Sequence, residues 1–271
     1  MWYRTRGSCS RNIALCFGQT CTPLYKWVKF GRKILLSVLI NDNEAELKIP
    51  TDEEIEFYKE CIGEKYTHCG NVWGALDGLK VTIQKPGHES IQNRFYNGWT
   101  HGHYVNCLFI FAPDGRIRTT VYNAPGTFHD SAMADYGVYA TMESIYERTG
   151  GKVVVDSAYR SSGTYSIVTS SQLDPMEEEA LLINRDATSI RQLSEWGMRM
   201  IQAQFPRLKD NVKFEDEGER KILFRLMCHL YNYQTHAIGH NTILNSYMQK
   251  KDGYYGYDNI AEDANDYMNN E

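Results

Sequence analysis

The stretch WGALDGLKVTI at residues 73–83 decides the fold, because apolar side chains recur there at every second position. This period of two predicts a β-strand with Ala75, Leu79 and Val81 on one face. Asp77 lies on the same face, where a carboxylate without a cation or a hydrogen-bond donor costs several kcal/mol. The stretch therefore predicts a buried strand that carries a group in need of a compensating charge.

Further strands follow along the chain. Residues 104–112 are an apolar strand, the Pro-Asp-Gly triplet at 113–115 is typical of a turn, and residues 117–122 are a third strand. A helix is predicted at 132–146, and KVVVD at 152–156 reads as a short buried strand that ends on an acid. This order predicts an α/β fold of the RNase H-like type, a mixed sheet with flanking helices.

The first 45 residues form a basic helical segment. Residues 1–40 contain seven Lys and Arg and no Asp or Glu, so in a chain of net charge −5 the rest carries −5 minus 7, or −12. A short helix is predicted at 11–18, and a longer one with Thr22 as its N-cap and Pro23 at its first position. The pair fits part of a helix-turn-helix, and an ordinary helical hairpin with a solvated basic face explains it equally well.

Downstream of the KVVVD strand the pattern becomes helical again. Residues 161–185 are predicted to be an irregular insertion, and Ser189 with Gln192 forms a capping box that starts a helix ending before Pro206. A second amphipathic helix is predicted at about 219–233. The predicted organisation is a basic helical segment at 1–45, a short helix at 51–62, an RNase H-like domain at 71–240 and an acidic disordered tail at 252–271.

Composition excludes several classes of protein. No apolar run approaches the roughly 18 to 20 residues of a membrane span, and the N-terminus lacks the pattern of a signal peptide, so we expect an intracellular protein of the nucleus or cytoplasm. The seven cysteines include no C-x-x-C pair and are expected to be reduced thiols. Two histidine pairs have the spacing of metal-binding pairs, His101 with His103 and His236 with His240. Without an acid or thiol nearby, a structural or incidental role is favoured.

Three acids are candidates for metal ligands. Asp156 follows the fourth strand, which this topology places beside the strand of Asp77, and Glu195 lies on the helix that packs there. Convergent carboxylates are the oxygen ligands that Mg2+ or Mn2+ prefers. Each acid also has a simpler explanation, since Asp156 could cap the turn that follows it and Glu195 could pair with Arg191 or Arg199 along its helix.

Asp130 and His129 stand just before a predicted helix. An Asp at this place is first of all an N-cap, and a metal-binding role is the alternative. His129 is a candidate contact for a metal, a phosphate or Asp130 itself.

Four short blocks carry a resemblance to a known family. They are GALDG at 74–78, PGTFHDS at 125–131, VDSAY at 155–159, and Arg191 followed four residues later by Glu195. In order and spacing they resemble the conserved blocks of PIF/Harbinger-type DDE transposases, over about residues 71–235. The resemblance implies an endonuclease in which Asp77, Asp156 and Glu195 match the catalytic triad and Asp130 matches an additional metal ligand.

The same resemblance implies Mg2+ or Mn2+ as cofactor, DNA such as transposon ends as substrate, and a Myb-like protein as a DNA-binding partner, with the oligomeric state open. The chain departs from the family at Leu79-Lys80, where Thr-His is usual, and at Gln202 and Gln204, where basic residues are expected. These changes indicate a weakened hold on DNA. A domesticated descendant that binds DNA or protein without cutting, or an RNase H-like nuclease acting on RNA or repair intermediates, are the alternatives.

Overall fold

The computed structural model describes residues 10–159, 166–169, 178–210, 212 and 217–248. The elements of the first half are α1 (Ser10–Cys16), α2 (Cys21–Leu39), α3 (Asp52–Gly63), β1 (Val72–Thr82), α4 (Glu89–Phe95), β2 (Tyr96–Asn97), β3 (Gly102–Phe111) and β4 (Ile117–Pro125). Those of the second half are α5 (Asp130–Ala134), α6 (Val138–Thr149), β5 (Lys152–Val154), β6 (Ile167–Val168), α7 (Glu178–Gln204), α8 (Glu217–Ile238) and α9 (Thr242–Tyr247).

The strands form one mixed sheet with the order β2-β3-β1-β5-β6, and β4 pairs with β3. The strands β1, β3 and β4 are antiparallel neighbours, with Asp77 opposite Phe109. The strand β5 runs parallel to β1, with Val154 opposite Ala75. This mixed sheet with flanking helices is the predicted RNase H-like α/β fold, and the expectation that the first and fourth predicted strands are neighbours is confirmed.

Each face of the sheet has its own hydrophobic core. The core toward α7 and α8 includes Ala75, Leu79, Val81, Ile83, Ile190, Leu193 and Phe224. The core toward α5 and α6 includes Trp73, Leu76, Leu108, Met133, Met142 and Ile145. The predicted alternation along β1 is therefore confirmed, and Asp77 belongs by register to the face that α7 covers.

The helix α7 corrects two predictions. It begins at Glu178, so residues 178–185 are helical rather than irregular, and β6 adds a strand at 167–168. Ser189 is not a cap, because its hydroxyl donates to the carbonyl of Arg185 one turn earlier, at 3.0 Å. A serine inside a helix commonly makes this bond. The pairing of Ser189 with Gln192 in the sequence therefore does not mark the start of a helix here. Residues 160–165 and 170–177 of the predicted insertion lie outside the described residues.

Two other helix boundaries differ from expectation. The single helix predicted at 132–146 is broken, because Gly137 adopts the left-handed region with φ of 100° and separates α5 from α6. The helix α2 begins at Cys21 with Thr20 as its N-cap, so Thr22 is not the cap. The helix α3 agrees with its prediction, since Thr51 and Glu54 form a complete capping box.

The basic helix α2 packs on α8. Leu36 and Leu39 are buried together with Leu226, and Lys29 and Arg32 of α2 both pair with Glu219 of α8, at 3.4 and 3.6 Å. Part of the basic surface of α2 is thereby neutralised. The division of the chain at residues 1–45, 71–240 and 252–271 stays a prediction, and Arg4, Arg6 and the acidic tail lie outside the described residues.

The cysteines that the structure describes, from Cys16 to Cys228, are all free thiols. Among the described helices, none is both long enough and apolar enough to cross a membrane.

Candidate active site

Asp77 lies in the middle of β1 and is half-buried. Its Oδ1 accepts a hydrogen bond from the backbone N–H of Gly78, at 2.7 Å. Burial raises the pKa of Asp77, and the hydrogen bond from Gly78 opposes that rise. The charges of Asp130 and Asp156 raise this pKa further, while Arg191 lowers it. Asp77 is therefore a desolvated carboxylate that faces two other acids.

Asp130 approaches β1 from the opposite side of the strand, at the start of α5. A Cβ placed on Gly78 would lie 2.7 Å from Oδ2 of Asp130, so a side chain at position 78 would displace this carboxylate. Burial raises the pKa of Asp130, Lys80 and His129 lower it, and Asp156 raises it. The N-cap of α5 is His129, and Asp130 is its first helical residue, so the N-cap interpretation of Asp130 is wrong.

A buried amide holds the segment before Asp130. The side chain of Asn106, which is 1% exposed on β3, donates through Nδ2 to the carbonyl of Phe128, at 2.9 Å. Because this bond ties the chain to β3 two residues before Asp130, the position of the carboxylate is set by the sheet. Sequence patterns gave no sign of this role for Asn106.

Asp156 follows β5, two residues after the pairing of Val154 with Ala75. Its Oδ1 accepts from the backbone N–H of Ser157, at 2.7 Å, and from Nη1 of Arg191, at 3.2 Å. The turn-capping alternative for Asp156 is therefore present in the structure, together with an ion pair. We call Asp77, Asp130 and Asp156 the acid cluster.

Glu195 reaches the acid cluster through Arg191. Nη2 of Arg191 lies 3.5 Å from Oε1 of Glu195, one turn away on α7, while Nη1 contacts Asp156. One guanidinium thus joins the acid at the end of β5 to the acid on the covering helix. The intrahelical pairing considered for Glu195 is present, and Glu195 is linked to the other acids indirectly.

The donor set fits a divalent cation in chemistry, although the side chains are not in ligating positions. Among the described residues, no group of three or more His, Cys, Asp or Glu is arranged to hold a metal ion. Nevertheless, burial and the charges of neighbouring acids raise the pKa values of Asp77 and Asp130, so added positive charge would stabilise their ionised forms. Carboxylate oxygens are the ligands that Mg2+ and Mn2+ prefer.

Tyr159 lies close to the acid cluster. It is the last residue of the VDSAY block, whose sequence does not indicate a role for it. Its side chain is 3% exposed, and its hydroxyl has no hydrogen-bond partner in the part of the chain that the structure describes. Its backbone N–H donates to the carbonyl of Asp156, at 3.1 Å. Burial raises its pKa, and the charges of Asp130 and Asp77 raise it further. No periodicity distinguishes such a residue in sequence.

The described contacts of the two histidine pairs are with residues outside the acid cluster. His101 precedes β3 in a turn with φ of 51°, and only His103 is on the strand, so the two do not share a strand face as expected. His236 pairs with Glu44, at 3.1 Å, and contacts Arg116, whereas the side chain of His240 contacts Asn245.

Comparison with known proteins agrees with this geometry. No curated protein and no solved structure matches the chain. A family model described as DDE superfamily endonuclease matches residues 76–232, which is more than half of the chain and includes Asp77, Asp130, Asp156 and Glu195. The chain therefore belongs to the DDE superfamily endonuclease family.

Proposed function

We propose that this protein is a divalent-metal-dependent DNA endonuclease and strand transferase of the PIF/Harbinger transposase type. Asp77, Asp156 and Glu195 are its catalytic acids, and Asp130 is a fourth metal ligand. The observation that carries the proposal is the approach of the Asp130 carboxylate to Gly78, the residue after Asp77, with both carboxylates desolvated and both under the charge of Asp156. In a DDE endonuclease domain, such uncompensated carboxylates call for Mg2+ or Mn2+.

The chain's own residues prepare the site. The hydrogen bond from Gly78 fixes the carboxylate of Asp77, and Arg191 keeps the carboxylates of Asp156 and Glu195 within reach of each other. Asp77, Asp130, Asp156 and Glu195 would hold two divalent cations, which would supply activation of water and stabilisation of the leaving 3′ oxygen. The planar guanidinium of Arg191 also matches phosphate, so the same side chain can orient the scissile group.

Cleavage and strand transfer need only this one site. A freed 3′ hydroxyl takes the place of water and attacks a second phosphodiester, which leaves the arrangement of acids unchanged. Transposon ends or sites derived from them are the proposed substrate, and the nucleus is the proposed compartment. A Myb-like partner would supply DNA binding that Gln202 and Gln204, in place of basic residues, do not provide.

Nicking of supercoiled plasmid with Mn2+ tests the proposal. We expect the wild type to convert supercoiled to open-circular DNA and Asp156→Asn to be at least about 100-fold slower, as when a group acting only in the transition state is removed. Glu217→Gln is the matched control, because Glu217 forms an exposed pair with Lys221 on α8. Equal nicking by the wild type and Asp156→Asn, or none by the wild type, would refute the catalytic assignment.

A second substrate decides between DNA and RNA. The same enzyme is given a labelled RNA–DNA hybrid and a labelled DNA duplex of identical sequence. We expect cleavage of the duplex at the higher rate. A clear preference for the hybrid would exclude the transposase assignment in favour of an RNase H-like nuclease.

A further inference from the structure

An aromatic hairpin stands at the edge of the sheet, where β2 pairs with the start of β3. It comprises residues 96–103, that is β2, the connecting loop and the start of β3, and we call it the aromatic hairpin. Trp99 at its tip is 92% exposed. Among the large apolar side chains that the structure describes, Trp99 is the most exposed, and Tyr96 of the same hairpin is 40% exposed.

The loop holds Trp99 in a defined position. The side-chain Oδ1 of Asn97 accepts hydrogen bonds from the backbone N–H groups of Trp99 and Thr100, both at 3.1 Å, and from the hydroxyl of Thr100, at 3.0 Å. Behind them, His103 packs on the ring of Tyr96 with 5.4 Å between the ring centroids. A preorganised loop loses little conformational entropy when it binds a ligand.

The aromatic hairpin is also tied to the segment that leads into Asp130. Nδ2 of Asn97 donates to the carbonyl of Gly126, at 3.1 Å, and the hydroxyl of Thr127 donates to the carbonyl of Arg94, at 3.1 Å. A Cβ on Gly126 would lie 2.5 Å from the carbonyl oxygen of Tyr104, so the two segments pack closely. The aromatic hairpin is therefore fixed to the segment that leads into Asp130.

The separation of the two features suits one nucleic-acid strand. Thr82 pairs with Tyr104, at the base of the aromatic hairpin, and Asp77 lies five residues back along β1. At about 3.3 Å per residue this is about 17 Å. Trp99, at the tip, lies beyond Tyr104, so with about 3.4 Å between nucleotides of one strand the separation corresponds to at least about five nucleotides.

The charge between the two features favours a polyanion. Residues 78–113 carry Lys80, Lys85 and Arg94 against the single acid Glu89, although the chain after residue 40 has a net charge of −12. Lys80 is exposed on β1, and its positive charge lowers the pKa of Asp130. A chain segment of net positive charge that connects β1 to an exposed indole suits the binding of a DNA backbone and a base.

We propose that Trp99 stacks on an unpaired base of the DNA whose phosphate is held at the acid cluster. The preferred substrate is thus DNA with unpaired nucleotides, such as a gap, an overhang or a locally opened duplex, at least about five nucleotides from the cut. The face of a base is available only when the base leaves the helical stack, and stacking on an aromatic side chain tolerates every base. This inference rests on the proposed endonuclease function.

Binding to two DNAs tests the inference. Fluorescence anisotropy with Ca2+ in place of Mn2+ compares a labelled duplex with the same duplex carrying a three-nucleotide gap. We expect Trp99→Ala to weaken binding of the gapped DNA by about 5- to 150-fold and to leave the fully paired DNA unchanged. Trp99→Tyr should retain binding, and Trp27→Ala, at an exposed tryptophan of α2, is the matched control.

Three outcomes would overturn the inference. They are an equal loss on both DNAs, no loss on the gapped DNA, or a change of oligomeric state of Trp99→Ala in gel filtration, which would assign Trp99 to a protein interface. Plasmid nicking by the wild type distinguishes a failure of the Trp99 stacking site from a failure of the proposed endonuclease function. Nicking without a role for Trp99 refutes only the stacking site, whereas Trp99-dependent binding by a protein that never nicks refutes only the nuclease.

Discussion

Replacing Gly197 by alanine should displace the helix that carries Glu195. A Cβ on Gly197 would lie 2.5 to 2.6 Å from three atoms of the Phe111 ring, about 1 Å closer than ordinary contact. The ring cannot easily yield, because Phe111 is fully buried and packs against Phe109 and Tyr231. We therefore expect α7 to move outward by about 1 Å, together with Glu195 two residues away.

The expected magnitudes follow from two opposing effects. Overpacking a core costs about 1 to 3 kcal/mol, and replacing glycine by alanine inside a helix returns up to about 1 kcal/mol. The net change is a loss of about 1 kcal/mol, up to about 2. The rate should fall further than stability suggests, since a misplacement of about 1 Å at a reacting centre costs about 100-fold.

The assay combines urea unfolding with Mn2+-dependent plasmid nicking. Gly31→Ala is the matched control, because Gly31 also lies inside a helix and a Cβ there meets nothing within 4 Å. It should gain about 0.5 to 1 kcal/mol and nick at the wild-type rate. If Gly197→Ala is as stable as the wild type, or nicks as fast, then close packing of α7 on β3 does not position Glu195.

Three further predictions concern the acid cluster. The pKa of Asp77 is raised by burial, so the folded protein binds the extra proton and loses stability as pH rises through that pKa. Asp77→Asn should consequently melt higher than the wild type at pH 7, and the difference should shrink toward pH 4; a lower melting temperature at pH 7 would contradict the burial argument. Mn2+ at about 100 times its Kd should stabilise the wild type by about 2.7 kcal/mol in thermal melts and stabilise Asp77→Asn by less; equal shifts would place the metal elsewhere. Tyr159→Phe removes a buried hydroxyl without a partner among the described residues and should gain about 1 kcal/mol in urea unfolding; a loss of that size would mean that the hydroxyl is bonded in solution.

The sheet could be predicted from the sequence because its strands are buried and alternate clearly. Residues 73–83 and 152–156 define β1 and β5, and the RNase H-like order of strands and helix places these two strands side by side. This pairing alone places Asp77 and Asp156 in the same region of the sheet. The endonuclease family could also be predicted, because its four short blocks occur in the family's order along the chain.

The details of the site could not be predicted, because they depend on contacts between residues distant in sequence. The approach of Asp130 to Gly78 is visible only when α5 is folded against β1. The double ion pair of Arg191 joins α7 to the end of β5, and a sequence cannot rank it against pairing with Arg199. Local patterns also failed where tertiary burial extends a helix, as at the start of α7, or where one glycine interrupts it, as at Gly137.

The measurement that tests the central claim most directly is the number of Mn2+ ions bound per chain, by electron paramagnetic resonance titration in the presence of duplex DNA. The account predicts two ions for the wild type and for the control Glu217→Gln. It predicts at most one for Asp77→Asn and for Asp156→Asn. No saturable binding by the wild type, or the same number of ions in all four proteins, would contradict the claim that these carboxylates form a metal-dependent nuclease site.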